Sequence, residues 1–382
     1  MEGHEPLFAR GDDGEDMMLS RVAEKLASRG ISPDEVAGAL EREMPELIEQ
    51  SGAILLGELK RNAPAMLEDR QAIRSRFVRR QLRKWGEPLR LLRTMVVMAR
   101  EAGAESCMCR PAAAEQDLVL TSLVRLQARA CLVAEEILCL MEGGFASGAH
   151  SRWRTLHELT TVAFFVSQHG QGVAERYLLH HVIETCKAAH QYQEHCHALG
   201  RDPLDDGELD RHREARVELC GRFGTAYRED WGWAAEALGQ PRPRFADIER
   251  AVNLDHLRPY FRLSCHPTHA GSKGLVFDLG NSLNPEAEDM MLSGPSDAGI
   301  SEPGICTALS LLQITAALLT LGEPTFSRLA VLGAMRQMSR ETQEAFAFAD
   351  AELGARAPRV RGRLERFRAR DKAPPRSPGE PG

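Results

Sequence analysis

Residues Phe145–Gly170 read FASGAHSRWRTLHELTTVAFFVSQHG. Leu156, Leu159, Ala163 and Val166 recur at steps of three and four, so they fall on one face of a helix. Val162, Phe164 and Phe165 make its second half apolar nearly all round, the pattern of a helix in the middle of a bundle. The same stretch carries charge. Arg154 and Glu158 sit four apart and meet on one side, with His157 beside them and Arg152 a half-turn back. Charge inside a bundle persists only when paired and hydrogen-bonded. The segment is therefore either a structural ion pair that fixes register or the floor of a polar cleft.

The chain around it predicts more helix. Apolar residues make up 43% of the 382, enough for a sizeable core, while aromatics are only 5%. Ala and Leu dominate, which favours helix over sheet. Residues 1–16 are acidic, lack the apolar core of a signal peptide, and are expected to be disordered. Residues 17–110 read as a smaller, basic helical segment, with Pro88 restarting a helix. The loop 104–114 is the expected domain boundary. Residues 112–353 read as the bundle core, with helices at 115–141, 145–170, 173–199, 209–238 (one helix, or two, since Gly221 and Gly224 weaken its middle), 248–263, 304–321 and 324–353. The Arg-, Pro- and Gly-rich residues 355–382 read as a disordered tail. The fold class is all-α: a multi-helix bundle with a smaller helical N-terminal segment and disordered ends.

Charge and cysteine usage narrow the function. The net charge of −7 excludes a chain-wide trap for polyanions. Residues 70–93 are locally basic, and would either contact a phosphate backbone or form a solvated helix face that pairs with the acidic N-terminal segment or a protein partner. The nine cysteines are scattered with no Cys-x-x-Cys pair, which points to a reducing, cytoplasmic compartment. Cys107-Met108-Cys109 is the closest approach to a soft-metal site, without further ligands nearby. The apolar run 305–321 is interrupted by Thr307, Ser310, Gln313, Thr315 and Thr320 and reads as a buried helix, so no membrane is expected.

Two further groups carry chemistry. His256-Leu-Arg-Pro-Tyr-Phe-Arg-Leu-Ser-Cys-His266-Pro-Thr-His269 gathers hydroxyls and imidazoles at a helix end, where imidazole can act as acid or base near neutral pH. Its structural reading is capping of the last carbonyls by His266 and Thr268. His190, Glu194 and His197 share a helix face at steps of four and three, and His180-His181-Val-Ile-Glu184 lies one to two turns before them. Glu-x-x-His is half of a di-metal bundle motif, but its second half is missing. A solvated His-rich face is the structural reading there.

Arg154-Thr-Leu-x-Glu158, followed about a hundred residues later by Tyr260-x3-Ser264-x-His266-Pro-x-His269, resembles a broad bacterial family known as domain of unknown function 5677. The resemblance covers roughly residues 50–340. It implies an all-helical fold with the Arg/Glu pair facing the Ser/His segment, and no established reaction. A looser similarity is to the HEPN helical ribonucleases, whose Arg-x(4–6)-His pattern is met by Arg152-x4-His157 and Arg262-x6-His269. That resemblance implies metal-independent action on RNA across a dimer interface. The candidate catalytic residues are Arg154, Glu158, Arg262, His266 and His269. Tyr260, Ser264, Arg152 and His157 are the candidate substrate contacts. No metal and no cofactor is called for. The function ranked first is an RNA-cleaving toxin or phage-defence protein, with RNA, a protein partner at 70–93 or a second copy as partners. The rivals are a non-catalytic interaction protein and a metal-dependent bundle enzyme using His190, Glu194 and His197.

Overall fold

The computed structural model describes residues 33–108, 117–276, 279 and 293–371. The expected disorder of 1–16, Cys109 of the Cys-Met-Cys run, and residues 372–382 lie outside them. The described residues form helices joined by turns, with no strand among them. The chain divides into two compact units, Met1–Phe77 and Val78–Gly382.

Helix α1 spans Pro33–Met108 without a break. The restart expected at Pro88 is absent, and the reason is packing. Proline inside a helix costs about 3 kcal/mol. In the second unit Trp85, Leu89, Leu92, Met95 and Val96 are at most 2% exposed, each worth about 1.5–3 kcal/mol on burial. Burial outweighs the lost hydrogen bond. The division between the two compact units falls at 77/78, and the part of α1 from Trp85 onward belongs to the bundle core.

Helices α2 (Leu118–Glu142) and α3 (Ala146–His169) form a hairpin at the heart of the second unit. Asp117 caps α2 by accepting from Leu120 N at 3.0 Å. Gly144, at φ 81°, makes the turn between the helices. The long helix α3 is central, as its apolar pattern predicts. Its Trp153 indole donates to Cys306 O and Ser310 Oγ, both at 3.0 Å, and Thr160 Oγ1 reaches Ser310 O. These bonds fix α3 against the last helical pair.

The helix predicted over 173–199 is broken. It becomes α4 (Gln171–Leu179) and α5 (His181–His195), with His180 between them. The His180 ring is buried and Nε2 serves the carbonyls of Tyr227 and Glu229 at 3.1 and 3.0 Å. The stretch 209–238 is divided, the alternative that Gly221 and Gly224 left open: α6 (Asp206–Phe223) ends at Gly224 with φ 90°. Short helices follow: α7 (Ala235–Leu238), α8 (Phe245–Ala251), α9 (Arg258–Cys265) and α10 (Ser272–Val276). The predicted single helix 248–263 is split where Asn253 takes a positive φ of 58°.

α11 (Ser301–Leu319) and α12 (Phe326–Asp371) close the bundle. α11 is long and apolar enough to cross a membrane, yet it packs between α2, α3 and α12 with Leu311, Ile314 and Leu318 buried. Gly304 sits where a Cβ would come within 2.4 Å of the Phe346 ring, so only glycine lets α12 approach. α12 runs past the predicted end at 353, through Asp371.

Candidate functional site

Helix α8 shows why its acid turns inward. Phe245, Ile248, Glu249 and Val252 share one face at steps of three, four and seven, and all four are buried. Glu249 is thus an acid on an apolar face, with no exposure. Its Oε1 accepts from His157 Nε2 on α3 at 2.9 Å, and His157 is equally sealed. Its Oε2 accepts from Arg258 on α9. The turn at Asn253 makes this possible. It reverses the chain between α8 and α9 so that residues nine apart face each other.

Arg154 and Glu158 lie alongside. Their ion pair is 3.0 Å, with side chains 31% and 28% exposed, so the pair is half-buried. The Arg154 guanidinium stands 5.0 Å from the Phe261 ring centroid and that of Arg258 5.6 Å from it. Arg154 Nε is buried without a partner. Burial holds the Glu158 carboxyl above the ordinary carboxylate range. The charge of Glu249 pushes the same way, and Arg154 opposes both. His157 is further packed on Trp153, Phe245 and Phe261. On the other side of Trp153 stacks His150, which desolvation lowers to about 4.

Arg154 therefore meets the α9 segment through the Phe261 ring, with Glu158 paired to it on α3. Other site candidates have different settings. Arg152 turns to Glu136 and Thr155 and does not join His157, so the Arg152-x4-His157 spacing forms no common site. Ser264 is buried and donates to Phe261 O at 2.7 Å. Tyr260 is 43% exposed, and His269 is exposed. Arg262 and His266, one turn apart, share a concavity of about 470 Å³ with Pro259, Leu263, Cys265 and Lys273. The His266 ring is half-buried and makes no hydrogen bond to the described residues. Lys273 is held there because α10 lies tight against the end of α9. A Cβ on Gly274 would fall 2.4 Å from His266 O.

The His190 face does not offer a ligand set. His190 Nδ1 donates to Cys186 O at 2.7 Å and Nε2 accepts from Arg213 at 3.2 Å, which occupies both ring nitrogens. Among the described residues no group of three or more His, Cys, Asp or Glu is placed to hold a metal.

Glu249, Arg258 and Lys273 are absent from the sequence-based site. Glu249 had a readable signal, an acid in phase with Phe245, Ile248 and Val252. Lys273 had none, since its place depends on how α10 folds back.

The second unit is thus an all-α bundle that carries an internal charged cluster under α9 and a cationic concavity at its end. Residues 121–287 match the model of a family described as a family of unknown function (DUF5677). The match supports that resemblance over this part of the expected 50–340, and it takes in every residue of both the cluster and the concavity. No curated protein and no solved structure matches the chain.

Proposed function

We propose that the protein cleaves RNA without a metal at the concavity on the end of α9, with His266 as the acid/base. The observation that carries this reading is the setting of His266. Its imidazole is uncommitted, half-shielded, and flanked by the cations Arg262 and Lys273. His266 would take the proton of a ribose 2′-hydroxyl, whose oxygen attacks the adjacent phosphorus. The bond to the 5′ oxygen breaks, and that oxygen leaves with a proton from solvent. Arg262 and Lys273 would stabilise the charge on the phosphoryl oxygens. Tyr260, exposed in the first turn of α9, and His269, exposed beyond its last turn, are strand contacts in this reading. Arg154, Glu158, His157, Glu249 and Arg258 are positioning residues, because they lock α9 to α3 and α8. The compartment is cytoplasmic, where RNA is at hand, and the biological setting is that of a toxin or phage-defence protein of HEPN-like chemistry.

The test is total RNA incubated with wild type and His266→Ala, with and without a chelator. Cleavage that survives chelation and drops about 10²-fold or more in the variant supports the reading. Cleavage unchanged in the variant overturns it. A second reading is favoured by a separate observation. Both Glu249 oxygens are engaged, one by His157 Nε2 and one by Arg258, which ties α3, α8 and α9 together as a register-fixing cluster in a non-catalytic interaction protein would. Folded wild type without activity on any RNA would move that reading to first place.

A further inference from the structure

A second concavity, of about 550 Å³, lies between α2, the α4–α5 junction and the turn at Gly232–Ala234. Arg125 and Arg129 stand one helical turn apart on α2 at its wall. Both are exposed and neither forms an ion pair or hydrogen bond with the described residues. Tyr177 and Trp233 form an aromatic wall, their rings 5.0 Å apart and near-perpendicular. The Tyr177 hydroxyl and the Trp233 indole N–H are donors that the described residues leave unused. Leu126 and Leu178 complete the apolar lining, and buried His180 stiffens the floor through the Tyr227 and Glu229 carbonyls. The acid present, Glu184, is engaged by Lys187 at 3.0 Å.

We infer that this concavity binds a nucleoside phosphate, with the phosphate on Arg125 and Arg129 and the base against Tyr177. Two unpaired guanidiniums beside unused neutral donors call for an anion with several acceptor oxygens. The space is too large for phosphate alone and falls in the range of about 300–1,000 Å³ typical of small-ligand sites. The flat aromatic and leucine walls match a base, which stacks without regard to its identity. Burial raises the Tyr177 phenol, so its hydroxyl remains a donor at neutral pH. The ligand is either a free nucleotide or the phosphorylated end of an RNA strand, since both present the same chemistry.

Calorimetric titration of the full chain tests this with AMP, UMP, adenosine, inorganic phosphate and a short 5′-phosphorylated oligoribonucleotide. AMP and UMP are expected to bind, and adenosine and inorganic phosphate each about tenfold more weakly or worse. Arg125→Gln/Arg129→Gln should lower AMP affinity by about tenfold or more, and both side chains are exposed, so the fold is kept. Oligonucleotide affinity above that of AMP assigns the strand end as ligand, and equal affinity assigns the free nucleotide. No saturable binding of AMP or UMP at millimolar concentration, binding of phosphate as tight as AMP, or an unaffected double variant each overturns the proposal. The readout is binding, so it stands apart from any failure of RNA cleavage at His266.

Discussion

Replacing Glu249 by alanine should be the most costly single change in the charged cluster. The loss has three parts. The His157 ring has no exposure, so its Nε2–H would be left unsatisfied in the interior, at about 1–3 kcal/mol. Arg258 is 32% exposed and can turn to water, so its share is at most about 1 kcal/mol. The space vacated by the carboxylate arm adds about 1 kcal/mol. The sum, about 2–5 kcal/mol, overlaps the roughly 3–5 kcal/mol of breaking a buried pair. For a domain this large it lowers Tm by at least about 4 °C. Urea and thermal unfolding followed by circular dichroism read the effect, with Arg154→Ala as the comparison. Read as a fully buried pair, Arg154–Glu158 would carry a similar cost. Half-exposed as it is, it should cost only about 1 kcal/mol, including contact with Phe261. Equal losses in the two variants would refute this account of the cluster.

Three other outcomes follow from the same structure. The folded-state pKa of His150 lies near 4 against an ordinary 6.5, so the unfolded chain binds the extra proton in between. Stability should fall by about 3 kcal/mol as pH drops from 6.5 to 4, and His150→Phe should abolish that acid-side loss in denaturant titrations. Glu158 is shifted the other way. The folded state holds its proton longer, so stability declines as pH rises from the ordinary carboxylate value through the raised one, and unfolding of Glu158→Gln should show a flatter profile there. Gly304→Ala should destabilise by about 1–3 kcal/mol, because the new methyl meets the Phe346 ring and α12 must shift. A calorimetric Tm unchanged in that variant would contradict the packing described for α11 and α12.

What could be read in advance divides along a physical line. Local periodicity determines α3, and the step of four between Arg154 and Glu158 determines their pairing, so both were legible. The same step joins Arg262 to His266. The partner of His157 is Glu249, 92 residues away. That contact depends on the positive φ of Asn253, which a pattern search passes over in favour of one helix. The α1 break was expected from the local rule for Pro88 and fails because the buried side chains from Trp85 onward outweigh it. His157 beside a charged pair suggests a reactive imidazole until its burial is known. Lys273 shares the concavity with His266 only because Gly274 permits α10 to touch the end of α9.

The most direct measurement is the chemistry of the RNA ends left by the purified protein in the presence of a chelator. The account predicts 2′,3′-cyclic phosphate and 5′-hydroxyl termini, absent with His266→Ala. Ends bearing 5′-phosphate and 3′-hydroxyl, or cleavage that stops on chelation, would contradict it.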